Sequence, residues 1–184
     1  MQTTDYLEKI IGELKQGVSL ISNKEVELLV NGILAADKVF VAGGGRSGLA
    51  VKSFAMRMMH VGLEPYVVGE TITPNFEPND IIIIGSGSGE TKGLVSIAKK
   101  AKQIGGKVVA VTTAPESTIA QLANIVIKMP GAPKDQSSDY KTIQPMGSLF
   151  EQTLLLFLDA VILRFMEKKG LDTDKMYGRH ANLE

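Results

Sequence analysis

Residues 81–91 read Ile-Ile-Ile-Ile-Gly-Ser-Gly-Ser-Gly-Glu-Thr. Four consecutive isoleucines cannot alternate between core and water, so the strand they form must be buried on both faces. Such a strand belongs to a parallel sheet covered by helices on each side. The Gly/Ser loop that follows puts Ser86, Ser88 and Thr91, with Gly87 between them, at the mouth of a helix starting near Lys92. Missing side chains at 85, 87 and 89 let a ligand approach the backbone closely. Free N–H groups and the helix dipole favour an anion there. The plainer reading is a tight turn with Ser88 or Thr91 as helix N-cap. No Gly-Lys-Ser/Thr closes the loop, so it is not the nucleoside-triphosphate P-loop. Three hydroxyls together favour a phosphomonoester. Hydrogen bonds to a charged group contribute about 1.5–3 kcal/mol each. Several can offset the roughly 4–15 kcal/mol cost of association.

Composition narrows the partners. Lys plus Arg equals Asp plus Glu at 20 each, so the formal net charge is zero. A neutral chain lacks the basic field of a nucleic-acid binder, and any anion site must be local. There are no cysteines and only two histidines, His60 and His180. That leaves no disulfide framework and little material for a metal centre, so no metal or cofactor is expected. The N-terminus carries no signal-peptide pattern, and no apolar run reaches membrane-span length. The expectation is a soluble cytoplasmic protein. At 184 residues and 44% hydrophobic, the chain suits one domain with a sizeable core.

Apolar residues at 6, 10, 11, 14 and 18, then at 26, 29, 30 and 33, predict two helices within residues 1–36, the second capped near Ser22-Asn23. Strands are predicted at 38–42, 65–68, 81–84, 107–112 and 125–129, with helices at 49–60, 92–104 and 116–122. Residues 70–79 and 130–142 read as loops, 145–169 as a long helix, and 170–184 as a polar tail. Strict alternation over 37–130 gives a three-layer α-β-α sandwich around a five-stranded, doubly wound parallel sheet. In the flavodoxin-like order 2-1-3-4-5, the ligand crevice lies between strands one and three. Those two strands carry the glycine-rich loops, at 43–48 and 85–91.

Gly43, Gly45 and Gly48 also satisfy G-x-G-x-x-G, with Glu70 near the spacing of a ribose-binding acid. Alone that fingerprint is weak, and it leaves Ser47 and the 86–91 hydroxyls without a task. Arg46 suits a phosphate or a sugar hydroxyl, or simply faces solvent. Glu151 shares a helical face with Leu155, Leu158, Ile162 and Phe165. A carboxylate on such a face suits a general base; the plain reading is an acid favoured near a helix N-terminus. His60 reads as packing or surface, Met56, Met58 and Met59 as core filling, and Lys92, Lys99, Lys100 and Lys102 as a solvated face.

Four segments together, Gly43-x-Gly45-Arg46-Ser47-Gly48, Gly85–Thr91, Gln144-Pro-Met-Gly-Ser-Leu-Phe-Glu151 and Arg179-His180-Ala181-Asn182-Leu183-Glu184, resemble the 6-phospho-3-hexuloisomerases of the sugar-isomerase (SIS) domain family. The resemblance covers essentially the whole chain. It implies interconversion of D-arabino-3-hexulose 6-phosphate and fructose 6-phosphate in the ribulose monophosphate pathway of formaldehyde fixation. It also implies a metal-independent homotetramer working beside 3-hexulose-6-phosphate synthase. By the same resemblance Ser47, Ser86, Ser88 and Thr91 hold the phosphate, beside Gly45, Arg46 and Gly87, and Glu151 is the base. The resemblance makes His180 a second catalytic or positioning group, so that the tail completes the active site of its own or a neighbouring subunit. Two alternatives stand: a non-catalytic SIS module that senses a sugar phosphate, and an SIS isomerase of another sugar phosphate.

Overall fold

The computed structural model describes residues 1–131 and 141–180, apart from the side chains of Lys175 and Tyr177. Most of the predicted 130–142 loop and the final residues 181–184 lie outside the described residues. Two N-terminal helices, α1 (Thr3–Val18) and α2 (Asn23–Ala35), precede the sheet. Then come β1 (Val39–Gly43), α3 (Gly45–His60), β2 (Pro65–Val67), β3 (Ile81–Gly85), α4 (Lys92–Ile104), β4 (Lys107–Thr112), α5 (Thr118–Leu122) and β5 (Ile125–Lys128). The chain closes with α6 (Ser148–Lys169) and a short α7 (Thr173–Tyr177) inside the predicted tail.

All five strands are parallel, in the order β2-β1-β3-β4-β5. The four isoleucines of β3 explain the layering. Ile81 and Ile83 join Val39, Val41, Val109 and Val111 in a core shared with α2, α3 and α6. Ile82 and Ile84 join Phe40, Ala42, Val108 and Ala110 in a second core under α4 and α5. Successive strand residues face opposite ways, so each isoleucine enters one core or the other. Burying each contributes about 1.5–3 kcal/mol.

Helical periodicity foresaw faces but not their coverage. Tyr6, Ile11 and Val18 of α1 are exposed, and of the three methionines on α3 only Met58 is buried. Met56 and Met59 are therefore not core filling. Beside them Leu49 of α3 and Leu155, Leu156 and Leu163 of α6 are also exposed. These two helices pack together in the first core, and both keep apolar residues exposed on their outer sides. Among the described residues no helix is long and apolar enough to cross a membrane.

On the polar side of α6, Arg164 Nε and Lys168 Nζ lie 2.6 and 2.8 Å from the Glu27 carboxylate of α2. Hydrogen bonds from Arg164 first, then Lys168, hold the Glu27 carboxyl down at about 2. A carboxyl depressed in the folded state stabilises the fold above its unfolded value and loses that contribution as it protonates. The contribution should therefore be complete above about pH 4.5 and fade as pH falls toward about 2. In urea titrations, wild type should lose midpoint over this interval faster than Glu27→Gln. Parallel curves would deny the pair any stabilising role.

Candidate active site

The crevice is built where strands become helices. β1 passes into α3 through Gly43-Gly44-Gly45, and Gly45 takes φ 54. A Cβ at Gly48 would lie 2.7 Å from the Gly43 carbonyl oxygen, so strand end and first helical turn touch backbone to backbone. Residues 45–48, expected in a loop, are instead the first turn of α3. The missing side chains at Gly43 and Gly48 serve that close packing. Ser47 is buried in that turn, while Arg46 is exposed.

β3 opens into the second loop in the same way, and its conformation is held from several sides. The Ser86 hydroxyl accepts the Gly89 N–H at 3.2 Å, and the Ser88 hydroxyl accepts the Glu90 N–H at 3.2 Å. The Gly87 carbonyl accepts from the Thr113 N–H and from the Thr112 and Thr113 hydroxyls, at 3.1, 3.0 and 2.8 Å. From α5, Ile119 N–H donates to the Gly89 carbonyl and Thr118 N–H to the Glu90 carboxylate. Those Thr118 bonds hold the Glu90 carboxyl below the usual carboxylate range. Thr91 occupies the N-cap position of α4, yet its side chain makes no capping bond. The turn-and-cap reading is therefore right about the position of Thr91, while the Thr91 hydroxyl is not spent on the helix.

A third helix begins at the same end of the sheet. Phe150 and Leu154 of α6 pack against Gly87 and Gly85, as a Cβ on either glycine would reveal at 3.2 and 3.0 Å. None of α3, α4 and α6 has a side-chain cap, so three positive dipole ends gather around the crevice between β1 and β3. Glu151, in the first turn of α6, lies with its Oε2 2.9 Å from Arg46 Nε. Its side chain is 15% exposed and that of Arg46 62%. The structure thus brings together Gly45, Arg46, Ser47, the 86–91 loop and Glu151. Helix N-termini, a guanidinium and a carboxylate thus share one end of the sheet.

His180 is elsewhere in the chain. Its ring stacks on His60 with centroids 5.4 Å apart and planes at 16°. His60 ends α3 and Arg46 begins it, so the stack lies about 21 Å along the helix axis from the Arg46–Glu151 pair at 1.5 Å per residue. Burial chiefly, then the charges of Arg57 and His180, depress the His60 imidazole. Glu70, at the spacing of a ribose-binding acid, lies 3.6 Å from Lys52 of α3. Among the described residues no three His, Cys, Asp or Glu cluster as metal ligands.

Sequence reasoning did not identify the polar groups behind the crevice. Thr112 and Thr113 had a signal, two hydroxyls at the carboxyl end of a parallel strand, where such sheets bind ligands. Glu13 had none. Its carboxylate accepts from the Thr142 hydroxyl, the Ile143 N–H and the Gln144 amide, at 2.5, 2.8 and 2.9 Å.

The SIS-domain family model matches residues 32–156. A curated relative from Bacillus subtilis (strain 168), named 3-hexulose-6-phosphate isomerase, is 57% identical over 185 residues, covering 100% of both chains. The chain belongs to the SIS-domain family, and within it to the 3-hexulose-6-phosphate isomerase group. A second relative of that name, from Mycobacterium gastri, is 38% identical over 181 residues, covering 98% of this chain and 91% of its own. A crystal structure from Methanococcus jannaschii, for which a 3-hexulose-6-phosphate isomerase function was inferred, superposes with a TM-score of 0.84 at 34% identity. It covers 98% of this chain and 99% of that one. The part common to SIS domains contains Arg46, Ser47, the 86–91 loop and Glu151. Glu13 and His180 lie outside it, in the stretches shared with the full-length relatives.

Proposed function

We propose that this SIS protein is a 3-hexulose-6-phosphate isomerase, interconverting D-arabino-3-hexulose 6-phosphate and fructose 6-phosphate through a cis-enediol. The observation that carries the substrate assignment is the 57% identity along the full length of the Bacillus subtilis relative of that name. Gly45, Ser47, Ser86, Gly87, Ser88 and Thr91, with the first N–H groups of α3 and α4, hold the phosphate. Glu151 is the base and Arg46 keeps its carboxylate at the crevice.

The chemistry fits one carboxylate. Moving the carbonyl from C3 to C2 removes the C2 proton, forms the enediol, and returns a proton to C3, with hydroxyl protons exchanging between O2 and O3. A base on one face of a cis-enediol serves both carbons, as in other enediol isomerases. With O6 phosphorylated, the 3-ketose could close only to four-membered rings through O1 or O5, so it enters open-chain. Ring opening is needed only for fructose 6-phosphate. His180 then polarises the carbonyl or moves hydroxyl protons. Because it sits a helix length from Glu151 in its own protomer, it serves the site of a neighbouring subunit. The exposed apolar faces of α3 and α6 support such assembly, and we take the working form as a homotetramer of single-domain chains. It acts in the cytoplasm beside 3-hexulose-6-phosphate synthase, in the ribulose monophosphate pathway of formaldehyde fixation.

The test is a coupled assay. Purified protein with the synthase, ribulose 5-phosphate and formaldehyde should yield fructose 6-phosphate, and omitting the protein should abolish it. A folded protein that gives none would be a sugar-phosphate sensor or an isomerase of another sugar phosphate.

A further inference from the structure

The chain enters α6 through residues 142–147, a stretch with no regular structure, and Met146 within it holds φ 56. A left-handed backbone at a residue with a Cβ persists only where its surroundings impose it. The Met146 side chain is itself exposed and supplies no such hold. The preceding residues of the stretch are held from α1. The Glu13 carboxylate takes donors from three consecutive residues, the Thr142 hydroxyl, the Ile143 N–H and the Gln144 side-chain amide. Thr142 in turn accepts the Gln144 N–H at 3.0 Å. Gln144 is 4% exposed, and its amide oxygen accepts from the Gln152 side chain at 2.7 Å.

We propose that Glu13 is a positioning residue for Glu151, acting through Gln144 and Gln152 on the first turn of α6. This rests on the reading of Glu151 as the base. An ionised carboxylate only accepts hydrogen bonds, so Gln144 must turn its NH₂ to Glu13 and its oxygen to Gln152. Glu13 thereby fixes the polarity of the whole relay. Burial works against the charge, but the bonds from Thr142, Ile143 and Gln144 outweigh it and keep the carboxyl below its usual range. Among the described residues Glu13 forms no ion pair, so its charge serves these donors. Gln152 follows Glu151 by one residue, about 100° round the helix. Holding Gln152 to Gln144 sets the rotation of that turn, and with it the arc on which Glu151 meets Arg46. Positioning of this kind is sensitive, since a displacement of about 1 Å can cost on the order of 10²-fold in rate.

The experiment is steady-state kinetics on Glu13→Ala, Glu13→Gln and Gln152→Leu beside Glu151→Gln, each checked by circular dichroism. Loss of the relay should lower kcat about 10-fold or more in Glu13→Ala and Gln152→Leu, leaving KM within about twofold, because the phosphate loop is untouched. Glu13→Gln, which keeps one acceptor, should recover part of the loss. A merely structural role would lower the melting temperature and leave kcat of the folded fraction unchanged. Wild-type kcat in folded Glu13→Ala, beside an inactive Glu151→Gln, overturns this proposal alone. If Glu13→Ala does not fold, Gln152→Leu decides in the same way, since it leaves α1 and its carboxylate in place. An active Glu151→Gln overturns the base assignment, and this proposal with it.

Discussion

Glu151→Gln should give a folded protein that binds sugar phosphate normally and turns over about 10²–10⁴ times more slowly. The amide matches the carboxylate in size, although it gives up the charge that pairs with Arg46 Nε at 2.9 Å. The apolar packing of α3 on α6 survives, as does that of Phe150 and Leu154 on Gly87 and Gly85. What disappears is the carboxylate proposed to take the C2 proton. Two measurements separate these effects. The coupled assay reads kcat, while the rise in melting temperature with fructose 6-phosphate reads binding, which stabilises the folded state by mass action. In D₂O the wild type should also exchange substrate protons at C2 and C3, and the variant should not. A loss of kcat below about 10-fold would remove Glu151 from the proton transfer. Lost binding with lost turnover would make it a binding group.

The residues differ in how plainly the sequence announced them, and the reason is the range over which each acts. The 81–84 run constrained the fold because a local pattern, apolar on both faces, has one common structural solution. The strand order expected from alternation is the one observed, and it puts both glycine-rich turns at one crevice. Glycines at 43–48 misled in one respect. They signal close approach as well as looseness, and here Gly48 lies under the Gly43 carbonyl while the helix already runs. Periodicity on α1 and α3 marked apolar faces, but Met56 and Val18 show that such a face can stay exposed in the folded chain. His180 lies in a tail whose destination no periodicity encodes, and its ring stacks on His60. Glu13 and Gln144 are 131 residues apart, joined by one side-chain hydrogen bond. Such a pair leaves no repeat or spacing to read.

Gly89→Ala should do to binding what Glu151→Gln does to chemistry. Gly89 holds φ 63, where an L residue costs roughly 1–2 kcal/mol. Its new Cβ would also lie 1.9 Å from the Ser117 hydroxyl oxygen and 2.4 Å from the Ser117 Cβ. Overpacking of that kind costs about 1–3 kcal/mol, so the variant should lose about 2–5 kcal/mol in all. The loop cannot simply drift aside, because Gly89 is bonded at both ends, its N–H to Ser86 and its carbonyl to Ile119 N–H. Relief has to come from a shift of residues 86–91, the same residues proposed to hold the phosphate. KM should therefore rise about 10-fold or more, with kcat less affected. Ser117 supplies the control. Its hydroxyl oxygen is buried with no hydrogen-bond partner among the described residues, and it does not cap α5. Deleting that side chain thus breaks no bond. Gly89→Ala with Ser117→Gly should regain the steric part of the loss and keep the backbone cost of roughly 1–2 kcal/mol. Wild-type melting temperature and KM in Gly89→Ala would mean that the loop does not need this conformation. Lost stability with unchanged KM would mean that it holds the fold without holding the phosphate.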